Sequence, residues 1–215
     1  MLLMSRAHRI LGDIAEKCIT NGIKLEISPT PTVIYAGDSV ECSGYFQGDL
    51  DKTKTDILAF GTGKPAEEWL VIALHESSHM DQFLEQSKSW TDCVYPDHQD
   101  ASDLYFDWLN DENSVAYPIE EIATKTLMVE LDCERRTLDK LYRYGLDDYI
   151  NTTEYIQRSN SYVYLYLYMI ESRRWVSGDR APYKIDDIWK NAPTTFNGDY
   201  TTIPEALLAA YRRNI

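Results

Sequence analysis

The sequence predicts an α+β protein, mainly helical, with a small mixed or antiparallel sheet of three to four strands near its N-terminus. Three observations carry this expectation. Apolar residues recur at helical period in several long segments, short β-rich runs crowd residues 24–60, and 44% hydrophobic content over 215 residues suffices for one substantial core. We read residues 1–215 as one domain, without repeats or low-complexity segments.

Leu2, Leu3, Ile10, Leu11, Ile14, Ala15, Cys18 and Ile19 keep close to helical period, and Asn21-Gly22 closes that N-terminal helix, 2–21. Lys24–Ser28, Thr32–Tyr35, Val40–Gln47 and Asp56–Phe60 then read as strands, split by Pro29, Pro31, Gly37-Asp38 and Gly48-Asp49. Gly61-Thr62-Gly63-Lys64-Pro65 lacks the spacing of a phosphate loop and reads as a strand-to-helix turn, with Pro65 in the first turn of a helix over about 65–88. Ser87–Asn113 is polar and aromatic without period, so a long excursion is expected there. Pro118 opens a second long helix, about 118–144, stopped by Gly145. The part from 150 to 215 is expected to be helical. Over 152–175, Tyr162, Tyr164, Tyr166 and Tyr168 alternate with apolar residues and permit a strand, but length and the Thr-rich start favour a helix. Pro204 begins a last short helix to about Arg213.

Composition narrows the classes of function. A formal net charge of −14 argues against nucleic acid and anionic membrane as partners. Cys18, Cys42, Cys93 and Cys133 are scattered without a C-x-x-C pair, so they read as free thiols of a reducing compartment rather than a disulfide framework. The opening Met-Leu-Leu-Met meets Ser5-Arg6 at once, and no run approaches membrane-span length. A cytoplasmic protein is expected.

The chemistry concentrates in His75-Glu76-Ser77-Ser78-His79, which follows the apolar run Trp69–Leu74. Two imidazoles four residues apart lie one above the other on a helix face, where they can share a Zn²⁺ ion. The carboxylate of Glu76 beside them can accept a proton from a metal-activated water. The bland alternative is a helix that happens to carry two histidines, yet the chain has only four. Asp81, two residues past the motif, is more polar than such a helix usually allows.

A catalytic zinc usually takes three protein ligands. Glu130 ranks first for the third, because a carboxylate among Leu127, Met128, Val129 and Leu131 needs a partner, for which a metal suffices. Glu134 ranks second, then Glu120 or Glu121, then His98. As a solvated helix face, Glu130 would instead pair with Lys125, and Glu134 with Arg135 or Arg136. Whichever of Glu130 and Glu134 is not a ligand can orient a histidine.

A strand, a helix with His-Glu-x-x-His and a later helix with a glutamate resemble the zincin metallopeptidases, specifically the gluzincin branch. Glu130-x-x-x-Glu134 is similar to that branch's Glu-x-x-x-Asp. The metzincin extension is absent, since Gln82 and Glu85 stand where its glycine and third histidine would be. The resemblance implies a zincin-like core and a zinc-dependent peptidase with His75, His79 and Glu130 as ligands, Glu76 as general base and a peptide or protein substrate. Tyr162, Tyr164, Tyr166 and Arg173 are candidate oxyanion donors. Trp90, Trp108, Trp175 and Trp189 are candidates for a cleft wall, though more often such residues are core. The strand Asp56–Phe60 could hold an extended peptide by edge pairing. Two other readings stay open: an interaction protein whose metal site is structural or lost, and a hydrolase of a non-peptide amide or ester.

Overall fold

A computed structural model describes residues 2–35, 40–48, 53, 55–110 and 115–215. The architecture is α+β, with helices dominating a three-stranded mixed sheet and a two-stranded sheet. The expected turn at Gly37-Asp38 and residue Asp49 lie outside the described residues. The chain divides into two compact units, residues 1–85 with 136–150 and residues 86–135 with 151–215.

The first unit opens with α1 (Leu2–Asn21), which buries Ala7, Ile10, Ile14 and Cys18. Then come β1 (Lys24–Ser28), β2 (Val33–Ile34), β3 (Glu41–Cys42), β4 (Gly44–Gln47), β5 (Ile57–Gly61) and α2 (Ala66–Glu85). Strand order is β1-β5-β4, β1 parallel and β4 antiparallel to β5, while β2 and β3 form an antiparallel pair of their own. The run Val40–Gln47 is thus two strands rather than one. At Ser43 the chain changes partner: its carbonyl accepts from the Gly61 N–H at 3.0 Å and its hydroxyl from Lys64 at 2.6 Å.

β5 is central, with Leu58, Ala59 and Phe60 fully buried, each apolar side chain worth about 1.5–3 kcal/mol for the larger two. Both of its edges are occupied, so edge pairing of a peptide to Asp56–Phe60 is ruled out. One face of the sheet meets α2, where Phe60 stacks on Trp69 and Phe46 packs against Phe83. On the other face Val33, Tyr45 and Ala59 form a small core with Cys42 and Ile57.

The glycines after β5 have a packing reason. A Cβ at Gly61 would lie 2.5 Å from the Thr30 carbonyl oxygen, and one at Gly63 would lie 2.6 Å from Pro31 N. The expected strand-to-helix turn is therefore present, and only glycine lets the Pro29–Pro31 backbone close on it. Gly44 does the same for α2, since a Cβ there would sit 2.9 Å from Glu76 Cγ and from Ile72 Cγ2.

The second unit is helical. Of the expected excursion, residues 111–113 lie outside the described residues, and 87–110 are more ordered than the sequence suggests, with α3 (Lys88–Cys93) and α4 (Ala101–Leu109). Both are too short for periodicity to reveal, and their signals are the N-caps. Ser87 Oγ accepts from the Trp90 N–H, and Asp100 Oδ1 from the Ser102 N–H. α5 (Ile119–Arg143) runs through to the first unit from Arg136 onward. Gly145, at φ 66°, supplies the expected stop.

Residues 152–172 are helical, as α6 (Thr152–Val163) and α7 (Leu165–Ser172), interrupted at Tyr164. The alternating tyrosines do not form a strand face. Tyr162 and Tyr166 meet hydroxyl to hydroxyl at 2.9 Å one helical turn apart, Tyr164 stacks on Tyr200, and Tyr168 stacks on Tyr211. The one-turn α8 (Asp186–Trp189) is unannounced by the sequence, while α9 (Glu205–Asn214) matches the helix expected after Pro204. No described helix is long and apolar enough to cross a membrane.

Two glycine substitutions have opposite expected signs. Gly44→Ala crowds Glu76 and Ile72 and should lower stability by about 1–3 kcal/mol in a urea titration. Gly12→Ala, in open space within α1, should raise it by about 0.5–1 kcal/mol in the same titration.

Candidate metal centre

α2 starts at the Pro65 turn and turns its apolar stripe inward, burying Trp69, Leu70, Ala73, Leu74, Met80 and Phe83. Ile72, His75, Glu76 and His79 recur at i, i+3, i+4 and i+7, which places them on a different stripe. All four are half-buried. The two imidazoles stand edge to face, ring centroids 4.9 Å apart and planes at 84°. His79 Nδ1 lies 2.8 Å from Gln82 Oε1. With Nδ1–H donating to that amide oxygen, a metal at His79 would be bound through Nε2, and Gln82 would fix the tautomer. Two nitrogen donors on one helical face, one oriented from behind, fit a zinc ion.

Glu76 leaves the same face and its stem passes close against the β4 backbone at Gly44. Its charge also reaches Cys42: burial pushes that thiol up first, and the Glu76 carboxylate adds to the rise.

The back of the motif is held by a polar cluster. Ser77 and Ser78, the two residues between Glu76 and His79, are buried, and both hydroxyls donate to the Leu74 carbonyl. Lys140 of α5 donates to Ser77 Oγ at 2.8 Å and pairs with Asp81 at 2.8 Å. Lys17 of α1 reaches the other Asp81 oxygen at 2.5 Å, and Thr137 donates to Ser78 Oγ at 3.2 Å. The unusual polarity of Asp81 thus belongs to an ion-pair network. Burial would raise its carboxyl, but Lys140 and Lys17 outweigh burial and hold it below the usual carboxylate range.

Along α5, Glu130, Cys133, Glu134 and Thr137 follow one another at i, i+3, i+4 and i+7 and so share one stripe of the helix. Their surroundings differ. Glu134 is buried, and its Oε2 accepts from the Tyr155 hydroxyl and from Ser159 Oγ at 2.7 Å. The Tyr155 hydroxyl is pushed well above its ordinary value, by burial and then by Glu134. Of the basic neighbours that a solvated face would offer Glu134, Arg135 donates to the Phe196 carbonyl and Arg136 to Glu85.

Glu130 is half-buried and faces Tyr166, whose hydroxyl rises with burial first and the Glu130 charge second. Lys125, its expected surface partner, turns to the Asp92 carbonyl, the Tyr95 ring and Glu121. Glu120 and Glu121 are exposed at the start of α5, and His98 is exposed in a turn at φ 67°.

Of the candidate oxyanion donors, Tyr164 is spent on the Asp199 carbonyl and Arg173 on the Trp108 carbonyl and ring. Tyr162 and Tyr166 remain as a bonded hydroxyl pair beside Glu130. Trp189 is buried, whereas Trp175 is exposed and joined edge to face with Phe106 and Tyr162. None of the four cysteines is joined in a disulfide. Cys133 carried no motif spacing in the sequence; its signal was its place one turn before Thr137 on the stripe shared with both glutamates.

Comparison of the chain with protein-family models, with curated proteins and with solved structures returns no match.

Asp81→Asn leaves Lys140 buried without its counter-ion and should cost about 3–5 kcal/mol by chemical denaturation at neutral pH. A depressed carboxyl contributes stability above its unfolded value and loses it as pH falls through the folded one. Wild-type stability should therefore fall as pH drops below about 4, and this part of the fall should be missing from the variant's pH series.

Proposed function

We propose that this protein is a zinc-dependent hydrolase that cleaves peptide bonds, with His75 and His79 of α2 as two ligands and a third from α5. The observation that carries the reading is the edge-to-face imidazole pair with Glu76 on the same helical stripe and Gln82 bonded to His79 Nδ1. A helix carrying two incidental histidines needs neither a general base between them nor an orienting amide behind one of them.

On α5, Glu130 is the carboxylate donor proposed from the sequence, and Cys133 is a thiolate donor one turn away. Glu134 then serves as a second choice, since hydroxyls already occupy its Oε2.

Zinc held there would supply Lewis acidity at neutral pH, polarising water and the scissile carbonyl. Glu76 takes the proton of the attacking water and hands it to the leaving amine nitrogen. The β4 backbone at Gly44 limits the carboxylate's stem to one side and so keeps it near the imidazoles. Gln82 holds the His79 ring in place. The Tyr162–Tyr166 hydroxyl pair is the proposed donor to the developing oxyanion.

Metal content by mass spectrometry and cleavage of an unbiased peptide library test this together. Wild type should carry one zinc per chain, and His75→Ala should lose it. Cys133→Ser and Glu130→Gln, compared side by side, name the third ligand by which one loses metal. Glu76→Gln should keep its zinc and lose about 10³-fold or more in cleavage rate. A zinc-free wild type overturns the site, and a Glu76→Gln protein with undiminished cleavage overturns the mechanism.

A further inference from the structure

We propose that the outer edge of β1, with the groove beside it, binds an extended basic segment of a partner protein by strand addition. This surface belongs to the first unit and stands independently of the metal site.

β1 is an edge strand of the mixed sheet. The Lys24 N–H donates to the Asp56 carbonyl, and the Ser28 carbonyl accepts from the Thr62 N–H, so residues 24, 26 and 28 turn their backbone groups toward β5. By alternation, Leu25 and Ile27 present theirs outward, where a further strand would pair. Beside this edge lies an open groove of about 730 Å³, walled by β1, the Pro29–Thr32 turn and the β2–β3 pair. The turn is braced from within, with Ser28 Oγ 2.6 Å from Thr30 Oγ1, which in turn donates to the Thr32 carbonyl at 2.6 Å. The groove is therefore built before any partner arrives.

Its chemistry selects the occupant. Glu26 and Glu41 are the charged residues of the lining, Glu26 paired with Lys24 of β1 at 2.6 Å, and Ile27 and Ile34 stand 45% and 54% exposed along it. A strand added to β1 places alternate side chains on the Glu26 side and on the Ile27 side. The partner that fits thus alternates lysine or arginine with β-branched apolar residues. A second copy of this chain fits badly, because antiparallel pairing of two β1 edges brings both acidic grooves together on molecules of net charge −14.

The test uses the full chain and two fluorescein-labelled seven-residue probes, one alternating lysine with valine, the other glutamate with valine. In fluorescence anisotropy at about 0.05 M salt the lysine probe should bind with a dissociation constant on the order of 100 µM, and the glutamate probe should not bind. Glu26→Gln with Glu41→Gln should weaken binding about fivefold. Ile27→Pro removes an outward N–H and should abolish it. Should Ile27→Pro fail to fold, amide shifts on titrating the wild type with the lysine probe should concentrate in residues 24–34 and 41. Equal binding of both probes, binding untouched by the double glutamate variant, or shifts centred on 75–79 each overturn the proposal. So does a concentration-dependent dimer that Ile27→Pro dissolves, since the edge then belongs to a second copy. His75→Ala should bind the lysine probe like wild type, which separates failure of this surface from failure of the metal reading.

Discussion

Lys140 is the side chain on which the motif helix depends. It reaches from α5 into the back of α2, donates to Ser77 and pairs with Asp81, which Lys17 of α1 also engages. Three helices are tied at one half-buried carboxylate. Two charges this far from solvent are costly unless paired and bonded, and here each is both. The consequence is rotational: with Ser77, Ser78 and Asp81 fixed behind, His75, Glu76 and His79 have one direction left to face.

The sheet imposes the second constraint. α2 lies so close to β4 that Gly44 is required, and the atoms that require it belong to Ile72 and Glu76. The stem of the carboxylate proposed as general base therefore lies against backbone. Backbone walls cost no rotamer entropy to hold in place, which suits a group that must shuttle a proton without drifting. The same sheet ends at β1 on its far side, so one small structure serves both the motif helix and an edge strand.

Much of the fold was legible because long amphipathic helices and proline- or glycine-bounded strands announce themselves locally. α1, α2, α5 and α9 follow directly from period and caps, as does β1. The helices α3, α4 and α8 were not legible, since four to nine residues are too few for a period to emerge. The split of Val40–Gln47 was hidden because both halves have strand composition, and only the partners on each side of Ser43 distinguish them. In the site, His75, Glu76 and His79 were readable from their spacing alone. Gln82 and Lys140 were not, because a glutamine and a lysine have no signature until a histidine or a half-buried aspartate stands next to them.

By itself the sequence determined the helix that carries two imidazoles and a carboxylate on one stripe, the α+β class, and an acidic chain without paired cysteines. These are local or compositional properties, fixed by spacing and charge. Tertiary structure decided that β5 is a central strand, that Glu134 is bonded to Tyr155 and Ser159, and that Asp81 is an ion-pair centre. Each of those depends on groups more than twenty residues distant or on a strand brought in from elsewhere, and the energy of a buried polar group is set by what the fold places beside it.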